Sequence, residues 1–484
     1  MAGLKPVSGR MAIWDDGQAP HVALVQRFAV DQLTPITAYV RLRPLGAHTL
    51  LESVEGDAKL ARYSFIALGE WARLLEAGGK AVLVGPDGTR IDNDPLHLLR
   101  WQSRQLAVAV PPEEPLPFPG GAVGYFAYGW VRQLERLPER LPAPGPAWEW
   151  IWPKSVVAFD HRRQEVTVVV ESRREETAQA MTRMELLVEA LRAPLSLSDP
   201  VVQVRSGTLR SNIDAAGFRE AVLRAKEYIR AGDIFQVVLS QAMEVEVQGD
   251  SLSLYRRLRR LNPSPYLFFL ETPRRTLVGA SPEALVRVNA GRVVSRPIAG
   301  TRPRGATRAE DERLWEELIH DEKERAEHVM LVDLVRNDLG RVSRYGSVTV
   351  DAMMVRESYS HVMHIVSEVS GELAPAYDAL DALAATFPAG TLTGAPKIRA
   401  MEIIDELEPE GRRAYGGVVG YVSHRGDLDA CITIRTIEVQ NGRARVQAGA
   451  GIVADSDPDR EYQESLNKAR AALAVLEEAD EEWL

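Results

Sequence analysis

Hydrophobic and polar positions in the second half of the chain switch between a three-to-four rhythm and a rhythm of two. In AAGFREAVLRAKEYIRAGD (215–233), Phe218, Val222, Ala225 and Ile229 share one side of a helix, and Gly232 stands near its end. IFQVVLSQAMEVEV (234–247) predicts a strand. LSLYRRLRRL (252–261) predicts a short helix stopped by Asn262-Pro263, and YLFFLE (266–271) an apolar strand. LVRVNAGRVVSRP (285–297) predicts a hairpin turning at Asn289-Ala290-Gly291. Two helices are expected across 308–339, a strand in SHVMHIVSEVSG (360–371), and a helix in PKIRAMEIIDEL (396–407) with Pro396 suited to its first turn. GGVVGYVSHRGDLDACITIRTIEVQNGRARVQAGAG (416–451) predicts three strands, with turns at Arg425-Gly426-Asp427 and Asn441-Gly442. A last helix is expected over 458–478.

The first half carries fewer clear signals. PPEEPLPFPG (111–120) is too rich in proline for a helix or strand interior and predicts a surface loop. Residues 172–192 predict a helix, with Met181, Leu186, Leu187 and Leu191 among charges. The prolines and serines of LRAPLSLSDPVVQVRSGTLRSN (191–212) place a boundary near 195–210, dividing the chain into 1–200 and 205–478. No internal repeat is visible. Strands and helices mix without strict βαβ alternation, so the expected class is α+β: a large, mostly antiparallel β-sandwich core flanked by helices.

Bulk numbers narrow the function classes. The 484 residues suffice for two or three ordinary domains. Lys plus Arg is 58 against 68 Asp plus Glu, a formal net charge of −10, which argues against nucleic acid as the main partner. It leaves room for a small anionic substrate in a local basic pocket. The single cysteine, Cys431, cannot form an internal disulfide, and a reducing cytoplasm is the expectation. MAGLKPVSGRMAIWDD has no secretory pattern, and no apolar run approaches the ~18 residues that span a bilayer. No membrane partner is expected.

HDEKERAEH (320–328) holds Glu324 and Glu327 three apart, just before the apolar HVMLVDLVRNDL. DREYQESLNKARAALAVL repeats the arrangement with Glu461 and Glu464. Carboxylates three apart share a helix face, which suits a solvated surface as well as it suits a metal site. Four that met would repel and raise one another's pKa until a hard cation such as Mg²⁺ neutralised them. Three glycine-rich stretches, PIAGT (297–301), PAGTLTGAPK (388–397) and QAGAGIVADS (447–456), are tight turns or places where backbone N–H groups can hold an anion. Arg435 lies inside the β run CITIRTI, where a buried guanidinium needs an anion, either a structural ion pair or a ligand. His364 sits in a strand pattern, as core histidines also do. Cys431 has no nucleophile setting.

RPIAGTRPRG, EHVMLVDLVRNDLGRV, SYSHVMHIVS, AGTLTGAPKIRAMEII, YGGVVGY, DACITIR and QAGAGIVADSDPDREYQE, in that order and spacing, resemble the chorismate-utilising enzymes over residues 210–475. Within that family they resemble the large subunit, component I, of the anthranilate synthases. The first half resembles that branch more loosely, through LLESVEG (50–56) and ARYSFIALG (61–69).

The resemblance implies a Mg²⁺ site with Glu327 and Glu464 as principal ligands and Glu324 and Glu461 in support. It implies that the metal, the N–H groups of Gly449, Ala450 and Gly451, and Lys468 hold the ring carboxylate of chorismate. Arg435 and Tyr415 would grip the enolpyruvyl carboxylate, and Gly300, Thr301 and Thr391 would line the ring. Members that add water carry a lysine where this chain has Gln236, and some that make aminodeoxychorismate carry one where it has Ala299. With neither lysine present, ammonia is the implied nucleophile. Glu283 would protonate the leaving C4 hydroxyl, which requires a raised pKa, and His364 would assist pyruvate elimination. Glu52 and Ser53, with Asn262, Pro263, Ser264, Pro265, Tyr266 and Leu267, resemble the allosteric tryptophan pocket of that branch, and Cys431 falls at a pocket-lining position. The implied partner is a glutamine amidotransferase subunit, in a hetero-tetramer. The competing readings are the aminodeoxychorismate branch and a non-catalytic sensor of chorismate or tryptophan.

Overall fold

The computed structural model describes residues 5–6, 11–53, 62–138, 141, 145–194, 202–205, 207–359 and 362–477. Among them, two antiparallel sheets of 15 and 12 strands lie face to face. In the middle of the first sheet, Tyr63–Leu68, Ala47–Glu52, Tyr266–Glu271, Thr276–Ser281, Thr436–Gln440, Arg443–Ile452 and Gln236–Gly249 follow one another. The second runs Ile298–Pro303, Val362–Glu372, Arg292–Ser295, Ala284–Asn289, Leu428–Ile432, Val418–Ser423, Gly121–Phe126, Trp148–Trp152 and then three strands ending at Gly88–Asp92.

The run YLFFLE shows why the sheets stack. Successive side chains of a strand point to opposite faces, so a strand covered on both sides must be apolar at every position. Leu267 and Phe269 join the core on the outer side of the first sheet, and Phe268 and Leu270 the core between the sheets. Each such burial contributes roughly 1.5–3 kcal/mol relative to exposure. The Phe268 ring lies across Gly279 on the neighbouring strand, where a Cβ would come within 2.0 Å of the ring. A charged residue at 268, or a side chain at 279, would therefore part the sheets.

Helices Pro35–Leu42, Thr177–Arg192, Leu252–Leu261 and Pro458–Glu477 cover the outer face of the first sheet. Helices Pro95–Gln105, Glu322–Gly340 and Ala379–Thr386 cover that of the second. The expected sandwich flanked by helices is the observed architecture. Both sheets also draw on both halves of the chain: Glu52 pairs with Leu267 in the first, and Gly124 with Gly420 in the second.

Local signals act as expected where chemistry is local. Helix Ala215–Ala231 is capped by the Asp214 side chain, which accepts from Gly217 N at 2.8 Å, and it stops at Gly232 with φ 83°. The 285–297 hairpin turns on Ala290 and Gly291, both at positive φ.

Three expectations need correction. The stretch 416–451 forms four strands, not three, because the run CITIRTI is broken: Leu428–Ile432 belongs to the second sheet and Thr436–Gln440 to the first. Arg435 is therefore not inside a strand but on the link between the sheets, at φ 49°. The proline-rich segment is a loop, as expected, but it buries Glu114, Leu116 and Phe118 rather than lying on the surface. The helix expected from 172 begins at Thr177, since Glu165–Arg173 continues as a strand first. Residues 195–201 and 206 of the expected boundary lie outside the described residues.

Candidate active site

The stretch HDEKERAEH straddles two helices. Asp321 ends helix Arg308–His320 and caps helix Glu322–Gly340, its carboxylate accepting from Lys323 N and Glu324 N at 3.1 Å. Glu324 and Glu327 thus occupy the first turns of a helix whose later residues Leu331, Val332 and Leu339 are buried. Asp457 caps the first turn of helix Pro458–Glu477 in the same way, placing Glu461 and Glu464.

Glu327 Oε1 accepts a 2.8 Å hydrogen bond from Gln236 Nε2, while Gln236 Oε1 is buried without a partner among the described residues. A Cβ at Gly451 would meet that amide nitrogen at 2.6 Å, and one at Gly300 would meet Glu324 Oε2 at 3.2 Å, so both glycines let backbone come close to the carboxylates. Burial, and then Glu327, hold the Glu324 carboxyl above its ordinary range. Burial does the same for Glu461, with Glu464 adding to it and Ser456, Lys323 and Lys468 opposing. Glu464 pairs with Lys468 at 2.7 Å. Among the described residues, no three His, Cys, Asp or Glu side chains are gathered closely enough to hold an ion as placed. The donor set still fits a hard divalent cation: four carboxylates in two mutually repelling pairs, with oxygen ligands only.

Glu283 sits between strands Thr276–Ser281 and Ala284–Asn289. Its backbone carbonyl accepts from Ile432 N at 3.0 Å, and its carboxylate from Thr391 Oγ1 at 3.1 Å. Burial pushes this carboxyl up to about 8, against the pull of Thr391, Arg435 and Lys468. A carboxyl so placed is protonated at neutral pH and can act as an acid. Near it, Arg435 makes no ion pair with any described carboxylate. Burial is the chief influence on its guanidinium, with Glu283 acting in the opposite sense. The structural ion pair left open by the sequence is absent among the described residues.

His364 Nδ1 lies 2.9 Å from Thr301 Oγ1 and 3.2 Å from the Gly300 carbonyl oxygen. Burial lowers its pKa, so the ring is neutral at neutral pH. With its Nδ1–H given to that carbonyl, the Nε2 lone pair is available as a base. Gly300, at φ 72°, shapes the bend that carries both groups. Tyr415 precedes Gly416, whose N–H donates to Thr433 O at 3.0 Å, so Tyr415 is held against the link bearing Arg435.

Gly449, Ala450 and Gly451 pair with Ser240, Leu239 and Val238. The strand on their other side pairs only as far as Val446. Beyond it that edge is open, and alternate N–H groups are free of the ladder.

A second site lies between the sheets: a cavity of about 330 Å³. Glu52, Ser53, Pro265, Tyr266, Leu267 and Cys431 line it. Asn262, Pro263 and Ser264 do not. The Ser264 hydroxyl instead donates to Ala280 O at 3.1 Å and fixes the turn that delivers Pro265. Sequence reasoning missed Arg62, Phe65, Arg287, Tyr421 and Asp429 of the lining. Asp429 was within reach, since it is two residues before Cys431 and so on the same face of the strand. It accepts from Tyr266 Oη at 3.0 Å and from Arg287 Nε at 3.1 Å. Glu52 is engaged by Arg259 at 3.0 Å and by the Tyr255 hydroxyl, whereas the buried Ser53 hydroxyl has no partner among the described residues. Carboxylates and guanidiniums around an apolar wall suit a small zwitterion with an apolar body.

Residues 57–474 match the sequence profile of a family described as chorismate binding enzyme. The chain is 46% identical over 460 residues to anthranilate synthase component 1 of Thermus thermophilus, covering 94% of this chain and 97% of that one. It is 45% identical over 467 residues to the same protein of Acetivibrio thermocellus, covering 93% and 94%. The crystal structure of anthranilate synthase component I from Streptococcus pneumoniae superposes with a TM-score of 0.77 at 39% identity, over 91% of this chain and 98% of that one. The menaquinone-specific isochorismate synthase of Escherichia coli, at 19% identity and a TM-score of 0.71 over 94% of each chain, shares the fold.

Proposed function

The chain belongs to the chorismate binding enzymes, and from that premise we propose that it is component I of an anthranilate synthase, turning chorismate and ammonia into anthranilate, pyruvate and water. The observation that carries this reading is the pairing of a neutral, buried Glu283 carboxyl with an Arg435 that no described carboxylate neutralises. An acid and an unmet cation side by side suit an anionic substrate with a hydroxyl to be expelled.

Arg435 and Tyr415 bind the enolpyruvyl carboxylate. The open N–H groups of the Gly449–Gly451 edge, with Lys468, bind the ring carboxylate. A Mg²⁺ ion held by Glu327 and Glu464, with Glu324 and Glu461 in support, would supply further positive charge to that carboxylate. Thr391 aims the Glu283 carboxyl at the C4 hydroxyl. As ammonia adds at C2 the ring double bonds shift, the C4–O bond breaks, the Glu283 proton leaves with the oxygen as water, and the new C2 ammonium sheds one proton to become the amine. His364 Nε2 then takes the C2 proton while the C3–O bond breaks. The side chain departs as pyruvate with that proton on its methyl carbon, and the ring becomes aromatic. Gln236 and Ala299, an amide and a methyl group, add no competing amine to the cleft.

The first stretch, 1–200, supplies Glu52 and Ser53 to the cavity between the sheets, and 205–478 the catalytic groups. Tryptophan suits that cavity: its ring against Pro265, Leu267 and Phe65, its ammonium toward Glu52 and Asp429, and its carboxylate toward Arg62 and the Ser53 hydroxyl. It would act as feedback inhibitor of the first committed step of its own synthesis. The ammonia would come from a separate glutaminase subunit in a cytoplasmic hetero-tetramer. The test is to incubate the pure chain with chorismate, Mg²⁺ and ammonium at alkaline pH and identify the product by mass. Anthranilate with equimolar pyruvate is expected. An aminodeoxychorismate that keeps its enolpyruvyl group would place the chain in the folate branch, and tryptophan binding without turnover would make it a sensor.

A further inference from the structure

Each turnover in the mechanism above removes a proton from Glu283 and leaves a carboxylate in a buried site. The proton must be restored before the next turnover. Beside Glu283 lies a cavity of about 30 Å³, enough for roughly two waters. Glu283 and Thr391 line it together with Asp338, and Leu331, Leu334 and Val335 make it apolar elsewhere.

Asp338 is a buried carboxylate that the reaction does not otherwise use. It pairs with Lys397 at 2.7 Å, and that ammonium also reaches the Thr386 carbonyl at 3.4 Å. Burial raises the Asp338 carboxyl, and Glu135 adds to this, while Lys397 and Arg341 oppose it. Arg341 and Glu135 stand 3.7 Å apart and both are solvent-accessible, so a charged pair open to solvent acts on the buried one.

We propose that Asp338, held by Lys397, is the proton donor that recharges Glu283 through water in this cavity. The proton leaves the Asp338 carboxyl, crosses the water and forms an O–H bond on Glu283. Asp338 regains a proton from solvent past Arg341 and Glu135. No electron moves: one proton enters by this route for each one that left with the C4 hydroxyl, and the proton shed by the new C2 ammonium leaves to solvent on the substrate side, so the turnover takes up no net proton. Asp338 is on this account a positioning and relay residue, since it touches no substrate.

The inference rests on the proposed activity, and the two fail differently. Enzyme with Mg²⁺, ammonium and chorismate is mixed in a stopped-flow instrument and anthranilate is followed by its fluorescence. In Asp338→Asn, Glu283 starts protonated, so the first turnover should run at close to the wild-type rate. Later turnovers should slow by about tenfold or more, the low end of what a lost proton transfer costs. The trace should show a burst equal to the enzyme concentration, and millimolar imidazole should restore the steady rate. A first turnover slowed as much as the later ones, or a steady rate left unchanged, overturns the relay and means that Glu283 is refilled from the substrate side. Wild type that makes no anthranilate overturns the parent reading and the relay with it. Should Asp338→Asn strand Lys397 and unfold, the double variant Asp338→Asn/Lys397→Gln removes both charges and is held to the same outcomes.

Discussion

The cleft at Glu283 and the cavity between the sheets are both lined by charged side chains, yet they treat charge in opposite ways. In the cavity, Asp429 is met by Tyr266 and Arg287, and Glu52 by Arg259 and Tyr255. In the cleft, Arg435 has no carboxylate partner among the described residues, Glu283 is kept neutral, and two pairs of glutamates repel each other. A cavity whose carboxylates are met without ligand can stand open and respond to a visitor. A cleft left unsatisfied holds its groups ready for charges that a ligand would bring, and stability is given up there for chemistry.

The largest effects test that contrast. Glu327→Gln or Glu464→Gln should lower kcat/KM by about a thousandfold, since a lost ligand charge removes several kcal/mol of transition-state stabilisation. Thermal unfolding without metal should be no worse than in wild type, because the change relieves repulsion. Normal rates at limiting Mg²⁺ would break the four-carboxylate reading.

Next, Glu283→Gln should cost about 10²–10⁴ in kcat. In wild type, kcat at fixed free ammonia should fall as pH rises through about 8, where this acid deprotonates. The stability sign is the reverse of the usual carboxylate case. The folded pKa lies above the unfolded one, so the native state binds more protons between about 4.5 and 8 and wild type loses stability as pH rises through that window. Glu283→Gln should therefore melt with wild type at pH 4 and above it at pH 9, and equal melting at pH 9 would show the carboxyl to be better solvated than its burial implies.

In the cavity, Ser53→Phe should fill space and relieve inhibition while leaving turnover intact. Lost contacts of about 2 kcal/mol raise the inhibitory tryptophan concentration roughly thirtyfold. Unchanged inhibition would put any tryptophan site elsewhere. The smallest effect belongs to Tyr266→Phe, which removes one hydrogen bond from a network that is already complete. Unfolding by denaturant should show a loss of about 1 kcal/mol. A gain in stability would mean that the cavity, like the cleft, is strained.

Much of this was legible in the chain because the signals were local. The two Glu-x-x-Glu helices, the Gly232 stop and the Ala290-Gly291 hairpin each follow from a few neighbouring residues. The break at Arg435 was not legible. CITIRTI alternates apolar and polar residues on both sides of the break, and alternation is the same whichever sheet a strand joins. Arg287 was missed for another reason: its pairing with Asp429 is made across strands, and alone it reads as an ordinary solvent-facing charge. The burial of Phe118 depends on Phe65 and Tyr421, distant in the chain, against which its ring packs at 5.7 and 4.6 Å.

The pairing of Glu52 with Leu267 and of Gly124 with Gly420 has a consequence for synthesis. As the chain emerges from a ribosome, the strands of the first half present two unfinished edges, rich in apolar residues, with nothing yet made to pair with them. The partner of Gly124 arrives only when nearly nine-tenths of the chain has been translated. Contacts so distant in sequence close late and slowly, and open edges invite pairing with other nascent chains. The yield of folded protein should therefore depend on translation speed, temperature and chaperone supply more than its finished stability suggests, and a chain cut short before residue 418 should aggregate rather than leave a usable half.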